Sequence, residues 1–155
     1  LIKAYSLTSN SKVLDMGCGK GYLMHEIKIL IPDIDIIGID SSSYALVHAK
    51  DETKPFIFKH KVEEQLAFKD NEFDLVMSLG TFHNLRLPDL TTALIEMERI
   101  GKHGYLMLES YRNEKELFNL QCWALTAESF FNKDEWVWLY KHFGYTGDYE
   151  FIYFD

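Results

Sequence analysis

The chain has 155 residues, which fits one domain and not two. Its formal net charge is −8, with 16 Lys and Arg against 24 Asp and Glu; this counts against nucleic acid as a partner, because phosphate binding rests on clustered Lys and Arg. Cys18 and Cys122 are too few for a disulfide framework or a CxxC zinc site, and two free thiols with no apolar span or signal-peptide region predict a cytoplasmic protein without a membrane partner.

Taken in chain order, apolar blocks alternate with amphipathic ones. Leu1, in place of Met, suggests a trimmed piece of a longer chain. Lys12 to Asp15 reads as a strand running into a glycine-rich turn. Leu23, Ile27 and Leu30 follow at i, i+4 and i+7, the spacing of one buried helical face. Ile34 to Ile39 is a second strand ending at Asp40, and Ser41, Ser42 and Ser43 can cap a helix running to about Lys50. Phe56 to His60 and Phe73 to Ser78 read as strands three and four. Pro88 suits the first turn of a helix that buries Leu90, Ala93, Leu94, Met97 and Ile100 and stops at Gly101. Tyr105 to Leu108 is a fifth strand. Asn132 and Glu135 resemble a capping box, opening a helix with Trp136, Leu139, Tyr140 and Phe143 on one face. Tyr149 to Phe154 is a sixth strand. The alternation predicts one α/β domain, with a doubly wound, mostly parallel sheet and helices on both faces. The segment 113–131 breaks the alternation and is placed where a substrate lid could sit.

The strongest local signal is Val13-Leu14-Asp15-Met16-Gly17-Cys18-Gly19-Lys20-Gly21. Glycines between a strand and a helix let backbone approach a ligand closely, and the helix N-terminus offers free N–H groups. A phosphate-cradling GxxxxGK[ST] loop is absent, and a dinucleotide GxGxxG would need glycine where Tyr22 stands. Asp40 ends the second strand. In a doubly wound sheet the carboxyl ends of neighbouring strands line one crevice, so Asp15 and Asp40 should face the same ligand. A carboxylate there can accept hydrogen bonds from ribose hydroxyls; its structural alternative is a helix cap.

The acid-x-Gly-x-Gly-x-Gly turn together with Asp40 resembles the first motifs of class I S-adenosylmethionine-dependent methyltransferases, of the type 11-like domain, and the similarity extends over roughly residues 10–110. It implies a Rossmann-like fold with S-adenosylmethionine as cofactor and S-adenosylhomocysteine as product. The implied cofactor residues are Asp15, Gly17, Cys18, Gly19, Asp40 and Ser41. Adenine contacts fall to backbone at Val62 and Glu63, since Val62 replaces the acid many members carry. The loop opening at Ser78 closes over the methionine end of the cofactor. Glu96-x-x-Arg99-Ile100-Gly101-Lys102-x-Gly104-Tyr105 matches the helix–turn–strand before strand five. Two departures stand out. Only about a dozen residues precede strand one, leaving no room for the usual N-terminal helices, and no seventh strand follows Phe154.

His83, in the loop after strand four, is the candidate general base, because a histidine exchanges protons near neutral pH. Its alternative is a loop histidine that orients backbone. Glu109, Tyr111 and Arg112, with some of the aromatic residues after Trp123, are candidates for an acceptor pocket. The reading is an enzyme that methylates oxygen or nitrogen of a small molecule, with no metal. The rivals are a non-catalytic S-adenosylmethionine-binding module or assembly partner, and a nicotinamide-dependent oxidoreductase, which the misplaced third glycine disfavours.

Overall fold

A computed structural model describes residues 1–155. Its elements are β1 (Lys12–Met16), α1 (Tyr22–Leu30), β2 (Asp35–Asp40), α2 (Ser43–Val47), β3 (Ile57–Lys59), β4 (Leu75–Leu79), α3 (Leu87–Ile100), β5 (Gly104–Glu109), α4 (Glu114–Trp123), α5 (Lys133–Phe143) and β6 (Asp148–Ile152). Single 3-10 turns occupy Lys54–Phe56 and Phe82–Asn84. The strands form one sheet in the order β3-β2-β1-β4-β5-β6, and every pairing is parallel. Residues 1–155 contain no seventh strand, and β6 pairs directly with β5. Residues 1–11 form turns and no helix. No helix is long and apolar enough to cross a membrane.

The central strands are apolar on both faces because both are covered. Successive side chains point to opposite sides, so Val13, Ile36, Leu75 and Met77 pack with Met24 and Ile27 of α1. Leu14, Ile39, Val76, Leu106 and Leu108 pack on the other face with α3 and α5. The α3 stripe is as its spacing predicts: Leu90, Ala93, Leu94, Met97 and Ile100 are all fully buried. Each of the four larger ones contributes about 1.5–3 kcal/mol relative to exposure. The capping box at Asn132 and Glu135 is present, and α5 ends at Gly144 in the left-handed region. Trp136, Leu139 and Tyr140 are buried beneath it.

Three sequence expectations are corrected. Leu30, the last residue of α1, is 71% exposed, and Met24 with Ile27 forms the buried face. The second helix stops at Val47, because His48 leaves helical geometry as its C-cap. Strand four starts at Leu75, since Phe73 makes only an isolated bridge to Gly101.

Candidate active site

The strand order reverses between β1 and β4, and a ligand crevice in such a sheet lies at the carboxyl ends of those strands. A cleft of about 580 Å³ is found there. After β1 the chain turns sharply, and the N–H groups of Gly17 and Cys18 both donate to Ile39 O (2.8 and 3.1 Å), tying the turn to β2. Gly17 (φ +84°) and Gly19 (φ +54°) occupy the left-handed region that favours glycine, yet they do different jobs. A Cβ at Gly17 would collide with the Thr81 side chain, whereas one at Gly19 would meet nothing within 4 Å. Gly17 lets the loops after β1 and β4 close on one another, and Gly19 leaves room in the cleft.

Asp40, at the end of β2, faces this turn. Its Oδ2 accepts from Gly19 N and its Oδ1 from Ser42 N, both at 2.8 Å. Each carboxylate oxygen keeps further acceptor capacity. Capping of α2 is done by the Ser42 hydroxyl, which accepts from Ala45 N.

Of the predicted cofactor residues, Gly17, Gly19, Asp40, Ser41, Val62 and Glu63 line the cleft together. The Val62–Glu63 loop is held from below by a buried cluster on α3. Glu96 accepts from Leu66 N (2.8 Å), and Arg99 bonds Glu96 while donating to Leu66 O and Phe68 O. The remaining three residues lie behind the wall. Ser78 is fully buried and donates to Met16 O at 2.7 Å, so it braces β4 against β1 and does not line the cleft. Cys18 turns its thiol toward Gly38 and Met24, where burial first, and the charges of Asp15 and Asp40 second, push its pKa well above the ordinary thiol range. Asp15 is 4% exposed. Burial, followed by the charge of Asp40, pushes its carboxyl up to about 7.

Thr81 and Asn84, in the loop expected to close over the methionine end of the cofactor, also line the cleft, as do Leu85 and Thr126, which no local motif marks. Thr126 arrives from the segment expected to form a lid. That segment divides into α4 and a loop stitched onto the turn after β4. Thr126 Oγ1 donates to Asn84 Oδ1 (2.7 Å), the N–H groups of Glu128 and Ser129 both donate to His83 O, and Ser129 Oγ donates to Leu85 O.

His83 is 5% exposed and not among the residues lining the cleft. Its Nδ1 lies 2.5 Å from Glu109 Oε2 at the end of β5. Both atoms are buried, and neither has a hydrogen-bond partner elsewhere. Nε2 is not among the buried unpartnered atoms. Arg112 bonds Glu116 and Asp155, and neither Tyr111 nor Arg112 reaches the cleft.

A glycine turn after β1 and an acid closing β2, at the switch point of a doubly wound parallel sheet, define a Rossmann-like fold. The chain belongs to the methyltransferase-domain family, which it matches over residues 7–145, and its class is that of the class I S-adenosylmethionine-dependent methyltransferases. It is 28% identical over 116 residues to malonyl-[acyl-carrier protein] O-methyltransferase of Bacillus cytotoxicus, covering 73% of this chain and 40% of that protein. It is 29% identical over 132 residues to human mitochondrial arginine-hydroxylase NDUFAF5, covering 82% of this chain and 36% of that one. The chain thus spans less than half the length of these two relatives. Among solved structures, a SAM-dependent methyltransferase from Archaeoglobus fulgidus superposes with a TM-score of 0.68 at 21% identity, over 92% of this chain and 65% of that one. The geranyl diphosphate C-methyltransferase of Streptomyces coelicolor, in complex with Mg2+, geranyl diphosphate and S-adenosyl-L-homocysteine, gives 0.68 at 10% identity, over 88% and 54%. At these identities the structures speak for the fold alone.

Proposed function

We propose that this chain binds S-adenosylmethionine in the cleft beside β1 and methylates an oxygen or nitrogen of a small molecule. The observation that carries the reading is the pairing of Gly19 with Asp40: an open backbone position beside a carboxylate with unused acceptor capacity. The fit is also electrostatic. Asp40 and Glu63 line the cleft and no Lys or Arg does, which suits a cofactor whose sulfonium and ammonium outweigh its carboxylate. Asp40 would accept from the ribose hydroxyls, backbone at Val62 and Glu63 would meet the adenine, and Asp15, from behind the wall, would act on a nearby ammonium through its charge alone. The cofactor supplies a methyl group on a sulfonium, already a good electrophile. The protein's work is alignment, exclusion of water and removal of a proton. His83 is the proposed base and the 124–131 loop the proposed lid. The test is calorimetric titration with S-adenosylhomocysteine beside NAD: binding of the first and not of the second is expected, and the reverse would overturn the reading.

Asp40→Ala should weaken S-adenosylhomocysteine binding by about one to two decades, because hydrogen bonds to a charged acceptor contribute about 1.5–3 kcal/mol. Circular dichroism should show the fold retained. Unchanged affinity in a folded variant removes Asp40 from the site.

Asp15 gives the cleft a pH dependence. Its carboxyl titrates higher in the folded chain, near 7, than in the unfolded one. The native state therefore holds the proton more tightly, and the free protein loses stability as pH rises from the ordinary carboxylate range toward 7. A cationic group bound nearby favours the carboxylate and reverses the effect. Affinity for S-adenosylhomocysteine should rise with pH up to about 7, with proton release on binding below that pH. Titrations in buffers of different ionisation enthalpy measure this directly; no proton release at mildly acidic pH would separate Asp15 from the ligand.

A further inference from the structure

Behind Gly80, at the edge of the cleft, lies a charge that the cofactor reading does not use. Glu109 ends β5 and is 4% exposed. Its Oε1 would be the one heavy atom within 4 Å of a Cβ at Gly80, at 3.4 Å. Gly80 itself lines the cleft, so no side chain stands between this carboxylate and the site at that position. Its Oε2 is fully buried, with His83 Nδ1 at 2.5 Å and no hydrogen bond from any other group. A carboxylate this deep is costly unless something pairs with it.

Apart from the His83 ring beside it, no protein cation is available to do so. Arg112, three residues on, is held by Glu116 and Asp155. Arg99 is held by Glu96 and Asp70, and Arg86 faces Glu128. No Lys or Arg lines the cleft, while Asp40 and Glu63 do. An anionic acceptor would find no partner here and several like charges.

We propose that the acceptor of this site is an amine, bound as its ammonium ion with Glu109 as counter-charge. The proposal rests on the cofactor reading above. Glu109 then acts in specificity, and its neighbour His83 has a defined task. An ammonium has no free electron pair until it loses a proton, and that proton passes from the acceptor nitrogen to His83, whose imidazolium Glu109 stabilises. The two residues are 26 apart in the chain and meet only because β4 and β5 are neighbours in the sheet.

The test uses the protein saturated with S-adenosylhomocysteine, titrated calorimetrically with 2-phenylethylamine, 2-phenylethanol and 3-phenylpropanoate. The amine should bind about tenfold tighter than either of the others, as befits a charge-assisted contact, and Glu109→Gln should erase that preference while S-adenosylhomocysteine still binds. Should the glutamine variant not fold, Glu109→Asp decides: it keeps the charge and withdraws it by one methylene, so it should weaken amine binding and leave the alcohol unchanged. An amine that binds no tighter than its two analogues, including no binding by any of the three, overturns the proposal. So does a preference that survives in folded Glu109→Gln or is unchanged in Glu109→Asp. A protein that takes no S-adenosylhomocysteine fails at the first titration, which marks the cofactor reading as the fault and removes this proposal with it.

Discussion

Gly19→Val is expected to abolish S-adenosylhomocysteine binding while the protein stays folded. No protein atom lies within 4 Å of a Cβ at this position, so the added branches enter the cleft, not the core. The backbone there has φ +54°, a region costly for a β-branched residue. Relaxing that strain would move the N–H that Gly19 donates to Asp40. Steric filling and loss of that alignment act together, so affinity should fall by more than about two decades, beyond the loss from Asp40→Ala. Gly17→Val provides the contrast. Its side chain would strike Thr81, so it should lower the melting temperature, whereas Gly19→Val should cost binding first. Normal binding by folded Gly19→Val would show that this turn is not the cofactor cradle.

What could be read from the sequence was whatever the chain encodes locally. The glycine turn, the α3 stripe and the Asn132–Glu135 cap depend on residues a few positions apart, and each is present in the structure. Leu30 fit the helical spacing but closes its helix, where a periodic pattern no longer guarantees a neighbour. Ser78 was misplaced for a different reason. β4 is buried on both faces, so alternation cannot say which way a small polar residue points, and its hydroxyl serves the neighbouring strand. Thr81 and Asn84 come to the cleft from the turn after β4 and Thr126 from the loop after α4, carried there by a segment whose composition gave no pattern. Their meeting is a product of topology. Glu109 was legible as a charged residue just past a strand, but its contact with His83 follows from the pairing of β4 with β5.

His83→Ala should cut turnover by ~10²–10⁴-fold, the range a general base contributes, and leave S-adenosylhomocysteine affinity nearly unchanged. His83 lies outside the residues lining the cofactor cleft, so its loss should spare cofactor binding; its proposed role begins only with an acceptor. A methyl-transfer screen over small amines, alcohols and carboxylic acids supplies the substrate for the assay. Because the ring is buried and its backbone carbonyl anchors Glu128 and Ser129, truncation also leaves a cavity and a fall in stability. The pH–rate profile separates the two effects. A wild-type limb that reports loss of a proton from the base should vanish in the variant, whereas a purely structural defect would scale the whole profile down and keep its shape. His83→Gln, which fills more of the space without an imidazole, should recover stability and not turnover. Turnover that returns with glutamine, or a limb that persists in His83→Ala, would assign proton removal to another group and leave His83 as packing between the turn after β4 and Glu109.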